Sequence, residues 1–139
     1  MYFRPGGRDD RERYQYSYPT VLKYLKIKCR GKEVGTFFKE FKLEHIVICG
    51  FTELAICFLE DLKKSKIAVD YIVDTNMATV VKEYQGIEIV GMEAVKDWQE
   101  TGIVIITDLY AVNRIVSELL NQGIPLEKII NLNDVLYSL

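Results

Sequence analysis

IVICGFTELA, residues 46–55, decides how this chain is read. Ile46 to Cys49 form an apolar run without polar alternation, the mark of a strand buried on both faces. The run ends at Gly50, and the period then changes. Leu54, Ala55, Phe58, Leu59 and Leu62 recur at helical spacing up to Lys63 and Lys64, cations suited to a helix C-terminus. A buried strand, a glycine turn and an amphipathic helix open a parallel α/β unit.

Toward the C-terminus the alternation repeats. Ile67 to Val73 reads as a second strand closed by Asp74, Thr75 and Asn76, and a weaker helix is expected over 78–84. Gly86 leads into a strand at 87–90, and 93–98 gives a helical turn or two. Gly102 introduces the strand 103–107, and an amphipathic helix follows over 110–121, with Val112, Ile115, Leu119 and Leu120 inward and Gly123 as its stop. Pro125 turns the chain into Ile129, Ile130 and Asn131, and Asn133 is placed to cap a last helix. Strands and helices alternating at these lengths imply about five parallel strands, in the spatial order 3-2-1-4-5, with helices on both faces.

Toward the N-terminus the period is helical. Residues 1–17 mix Gly, Pro, Arg and Tyr without an apolar repeat and read as a tail or linker. Residues 18–44 read as two helices. The first starts after Pro19, with Val21, Leu22, Tyr24, Leu25 and Ile27 on one broad face and Gly31 as its stop; the second carries Val34, Phe37, Phe38 and Phe41. Tyr24 and Lys28 have the YxxxK spacing of short-chain dehydrogenases. That pair belongs late in such a fold, and here it precedes the first strand. The α/β domain is thus 45–139, preceded by a helical extension.

With 139 residues, 49% hydrophobic and 27% charged, the chain has the means to build one real core, which excludes wholesale disorder. The net charge of −2 hides an asymmetry. Residues 1–44 carry 11 Lys and Arg against 6 Asp and Glu, a surplus of +5; residues 45–139 carry 7 against 14, a balance of −7. The basic segment suits an acidic partner, an anionic surface or its own acidic domain, and an ordinary solvated face is the plainer reading. Cys29, Cys49 and Cys57 make no CxxC pair, and Cys49 and Cys57 lie in apolar runs that suit buried thiols. His45 is the only histidine, so a structural metal is not expected. No signal peptide and no apolar stretch of about 18 residues is legible, which points to a reducing cytoplasmic setting and no membrane span. No nucleic-acid partner is expected, because Asp9, Asp10 and Glu12 dilute the Arg and Tyr of the tail.

Ligands of parallel sheets bind at the carboxyl ends of the strands, near the point where the strand order reverses. That rule selects Gly50, Phe51 and Thr52 after the first strand, Asp74, Thr75 and Asn76 after the second, and Asp108, Leu109 and Tyr110 after the fourth, with Asn131 and Asn133 from the fifth. ICGFTELA, followed by Asp74 24 residues after Gly50, resembles the GxGxxG/A-plus-acid fingerprint of Rossmann dinucleotide-binding domains. With Ile72-Val73-Asp74, Ile87 to Gly91, Ile103 to Ile106, Gly123-Ile124-Pro125 and Lys128-Ile129-Ile130, the chain over about 45–135 is similar to the small Rossmann-type domains of bacterial surface-polysaccharide and nucleotide-sugar proteins. The resemblance implies a Rossmann-like three-layer fold and NAD or another nucleotide-type ligand on the turn residues.

Two departures narrow that expectation. Thr52 stands where the fingerprint has its second glycine, whose missing side chain lets a pyrophosphate approach. Glu53 puts a carboxylate in the first helical turn, where a phosphate would compete for the same N–H groups. Asp74 is placed either to accept from a ribose 2′-OH or to close a strand-end turn with Thr75 and Asn76. Asp108 reads most simply as the cap of the helix beginning near Tyr110. No nucleophile paired with a base is legible. The expectation is an accessory or ligand-binding domain with a degenerate fingerprint. The alternatives are the cofactor-binding fragment of an NAD-dependent oxidoreductase, and a non-catalytic module that docks on a neighbouring domain or on itself through its N-terminal helices.

Overall fold

A computed structural model describes residues 7–95 and 102–139. Its elements are α1 (Gly7–Cys29), α2 (Gly35–Glu40), β1 (His45–Cys49), α3 (Glu53–Leu62), β2 (Ala68–Val73), α4 (Thr75–Ala78), β3 (Glu83–Tyr84), β4 (Ile87–Val90), β5 (Ile103–Ile106), α5 (Val112–Asn121), β6 (Ile129–Asn131) and α6 (Leu132–Tyr137). Single 3₁₀ turns occupy Met92–Ala94 and Leu126–Lys128. The fold is mixed α/β, built on a six-stranded, mostly parallel sheet in the order β3-β4-β2-β1-β5-β6.

β1 lies inside the sheet because both of its faces are apolar. Ile46 and Ile48 enter one core with Phe38, Phe58 and Leu132, under α1, α2, α3 and α6. Val47 and Cys49 enter a second core with Val104, Ile106, Ile115 and Leu119, under α5. β1 pairs in parallel with β2 on one side and with β5 on the other. The chain builds outward through β2 and β4, then returns across β1 to start β5, so the strand order reverses between β1 and β5.

The sheet has six strands where five were expected. The segment read as a helix over 78–84 is helical only at Thr75–Ala78, and Glu83–Tyr84 pairs antiparallel with β4. Tyr84 and Ile87 flank a two-residue turn in which Gln85 (φ 50°) and Gly86 (φ 84°) both take positive φ, the signature of a type I′ hairpin. That turn fixes the register more firmly than the weak apolar period could. The turn expected over 93–98 is 3₁₀ at Met92–Ala94; from residue 96 it lies outside the described residues.

α1 begins at Gly7 rather than after Pro19, so part of the segment read as a tail is helical and Pro19 sits inside the helix. An interior proline costs one backbone hydrogen bond and crowds the carbonyl four residues earlier; packing of the following turns on the sheet offsets that cost. Among the described side chains of α1, only Thr20, Tyr24 and Ile27 are buried, while Val21, Leu22 and Leu25 are exposed. Tyr24 and Lys28 both meet Asp61 on α3: Tyr24 Oη donates to Oδ2 at 2.9 Å, and Lys28 Nζ lies 2.9 Å from Oδ1. Their YxxxK spacing is therefore that of a helix dock.

Smaller differences have local causes. Leu120 and Phe41 are exposed at the ends of their helices, and Cys57 lies on the outer side of α3 while Cys49 is buried. Asn131, not Asn133, caps α6 by accepting from Asp134 N at 3.0 Å; Asn133 instead receives Thr20 Oγ1 from α1 at 3.0 Å. Among the described residues no helix is long and apolar enough to cross a membrane.

Candidate functional site

The carboxyl ends of β1, β2 and β5 converge on a cleft of about 410 Å³. Gly50, Phe51, Thr52, Asp74, Thr75, Asn76 and Asp108 all line it, so the structure brings these seven turn residues together. Leu109, Tyr110 and Asn131 line a neighbouring cleft of about 630 Å³. Asn133 lines neither.

Gly50 takes φ +109°, and a Cβ there would lie 2.8 Å from Asp108 Cβ and 2.9 Å from Asp108 N. The glycine is thus required by the approach of the β5 loop, independently of any ligand. Behind it, Thr107 is buried, with Oγ1 3.0 Å from Cys49 O and 2.5 Å from Gly50 O, and its N–H bonds Cys49 O at 2.9 Å. The first turn is stitched to the β5 end from within.

Two of the backbone donors at the first turn, those of Phe51 and Ala55, are already used. Phe51 N–H donates to Asp74 Oδ2 at 2.8 Å, and Met77 N–H donates to Asp74 Oδ1 at 3.0 Å, which caps α4. Of the two readings of Asp74, this geometry carries the strand-end turn: each oxygen already accepts a backbone N–H. Thr52 is the N-cap of α3, its hydroxyl accepting from Ala55 N at 3.1 Å. The β-branched residue at the fingerprint's glycine position therefore has a job of its own, satisfying an N–H that the helix start leaves open. Thr75 Oγ1 accepts from Met92 N at 3.1 Å and ties β2 to the turn after β4, and the Phe51 ring tilts against Tyr84 at 5.3 Å.

Asp108 does not cap the following helix. α5 starts two residues later than expected, its N-cap is Ala111 without a side-chain bond, and Asp108 instead accepts Ala111 N–H through its backbone carbonyl at 3.3 Å. Its side chain lines the cleft and the adjoining groove.

The loop-based reading missed Arg114 and Glu118. They lie one turn apart on α5, pair at 2.5 Å and close the far wall of the cleft. The only signal in sequence was their i, i+4 spacing on a helix whose other side is core. Cys49, also missed as a lining residue, forms the floor; burial first, then the charges of Glu118 and Asp74, push its thiol up to about 12. It is a packed, inert thiol and not a nucleophile. Among the described residues, three carboxylates against one guanidinium line the cleft and leave it acidic, unlike a phosphate cradle. Among the described residues no group of three or more His, Cys, Asp or Glu side chains is arranged to hold a metal ion. No protein-family model matches this chain, and no curated protein matches it.

Proposed function

We propose that the chain is a Rossmann-like accessory or ligand-binding domain of a bacterial, cytoplasmic surface-polysaccharide or nucleotide-sugar protein, with its dinucleotide fingerprint given over to packing. One observation carries this reading. The cleft lies outside the carboxyl ends of β1, β2 and β5, where the strand order reverses, which is where open α/β sheets take their ligands. With Phe51 N–H bonded to Asp74 and Thr52 capping α3, the turn offers little to a diphosphate. The ligand's nucleoside or sugar hydroxyls engage the acidic wall instead, and Arg114 is, among the described residues, the one cationic lining side chain able to meet a phosphate.

The test is a thermal-shift and calorimetric panel of NAD, NADP, UDP-sugars and S-adenosylmethionine. A ligand at 100 times its dissociation constant stabilises the native state by about 2.7 kcal/mol, several degrees for a domain of this size. The expected result is a shift with one nucleotide or nucleotide-sugar that Arg114→Ala and Asp108→Ala reduce. Silence across the panel sinks the proposal.

A further inference from the structure

α1 carries two apolar faces, and the fold uses one. Thr20, Tyr24 and Ile27 are buried, whereas Tyr18, Val21, Leu22 and Leu25 on the opposite side are 64, 48, 37 and 59% exposed. Their spacing of three and four residues makes a narrow seam of the kind one helix presents to another. At Val21 the seam runs into a groove of about 400 Å³, whose wall includes Leu54, Leu109 and Tyr110 and whose rim holds Glu53 and Asp108. Past Leu25 the seam is flanked by exposed Lys26 and Arg30. The face thus has an apolar stripe, a pocket beside it and charge of opposite sign at its two ends.

Charge decides among the occupants. Two copies pairing through α1 in parallel would set Lys26 and Arg30 against themselves. In antiparallel Lys26 falls opposite Ser17, and residues 15–30 hold no carboxylate to receive it. An anionic lipid surface would meet the −7 of residues 45–139 beside the helix, and the seam is narrower than the apolar face of an interfacial helix. A helix carrying acids over Lys26 and Arg30, and none over Glu53 and Asp108, satisfies every one of these features. We propose that the exposed face of α1 docks an amphipathic helix with acids over Lys26 and Arg30, whose apolar seam lies on Tyr18, Val21, Leu22 and Leu25 and sends one side chain into the groove beside Val21.

The experiment is selection of the full chain against a displayed library of three-heptad helices, with leucine at the seam positions and Glu, Gln or Lys randomised at the flanks. The expected outcome is enrichment of clones with acidic flanks at the end that covers Lys26 and Arg30. Their binding, read by fluorescence anisotropy, should weaken about tenfold or more with Leu25→Asp and with the pair Lys26→Glu and Arg30→Glu, and should fall with added salt. Circular dichroism checks that these exposed substitutions leave the fold intact. No enrichment, enrichment of basic or neutral flanks over Lys26 and Arg30, or binding indifferent to Leu25→Asp overturns the proposal. So does a Leu25-dependent dimer in sedimentation equilibrium, which assigns the face to a second copy. Leu25-dependent flotation with phosphatidylglycerol vesicles overturns it too, assigning the face to lipid.

Discussion

At the scale of single residues, Gly50 and Gly123 share a positive φ, yet they differ in what surrounds them. A Cβ on Gly50 meets Asp108 at 2.8 Å, whereas nothing lies within 4 Å of one on Gly123. Gly123→Ala should therefore cost about 1 kcal/mol, the strain of the backbone alone. Gly50→Ala adds a displaced β5 loop and should cost about 3 kcal/mol or more, both read by urea denaturation. Cys49 makes a prediction about pH. Its thiol is raised from 9.0 to about 12, so the folded state favours the neutral form. The stability this confers is fully present below pH 9 and is lost as pH rises through 12, by up to about 1.4 kcal/mol per pH unit for the one group. Cys49→Ala should be less stable than the parent at neutral pH but should lose less between about pH 9 and 11. Parallel slopes for the two proteins would refute the assignment. Tyr24, raised by burial and then by its bond to Asp61, adds to the alkaline fall in both.

At the scale of elements, α1 is held to the core by apolar contacts and by polar fixtures on α6 and α3, Thr20 on Asn133 and the pair Tyr24 and Lys28 on Asp61. Asp61, with a side chain 5% exposed, takes Tyr24 and Lys28 together. Asp61→Ala should destabilise by about 2 kcal/mol, less than a fully buried pair because Lys28 reaches water. The amide protons of α1 should then exchange faster than those of β1. The β3–β4 hairpin makes a prediction of the opposite sign. Gln85 holds φ 50° in a turn that prefers Asn-Gly, so Gln85→Asn should stabilise by a few tenths of a kcal/mol and raise the melting temperature. This hairpin also shows where a local period misleads. The weak helical period over 78–84 suggests a helix, but the turn chemistry of Gln85 and Gly86 and the free edge of β4 recruit Glu83 and Tyr84 as a strand.

At the scale of the molecule, what was legible in sequence followed burial. Strands β1 and β5 and helix α3 were legible because both sheet faces demand unbroken apolar runs and one helix side demands a stripe. The course of α1 was not legible, because Pro19 is favoured at a helix start and tolerated inside one, and only tertiary packing separates the two. The same limit grouped Val21, Leu22 and Leu25 on one face with Tyr24 and Ile27, when among the described side chains of α1 the fold buries Thr20, Tyr24 and Ile27. For the cleft, position along the strands was enough to find its turn residues, since topology alone brings those ends together. Their bonding partners, and Arg114 and Glu118 across the gap, come from contacts between distant segments that no local spacing encodes.

The carboxylate of Asp74 has a kinetic consequence. It sits on Phe51 N–H as a latch, and a ligand reaching for that N–H must wait for the latch to lift. A charge-assisted bond of about 1.5–3 kcal/mol leaves the turn open roughly one time in ten to one in a hundred, and lowers apparent affinity by the same factor. For such a nucleotide, the stopped-flow association rate should level off as concentration rises, the ceiling being the opening rate. Asp74→Asn, which keeps the shape but drops the charge, should raise that ceiling. A rate that stays linear and identical in both proteins would mean that ligands enter without disturbing this turn.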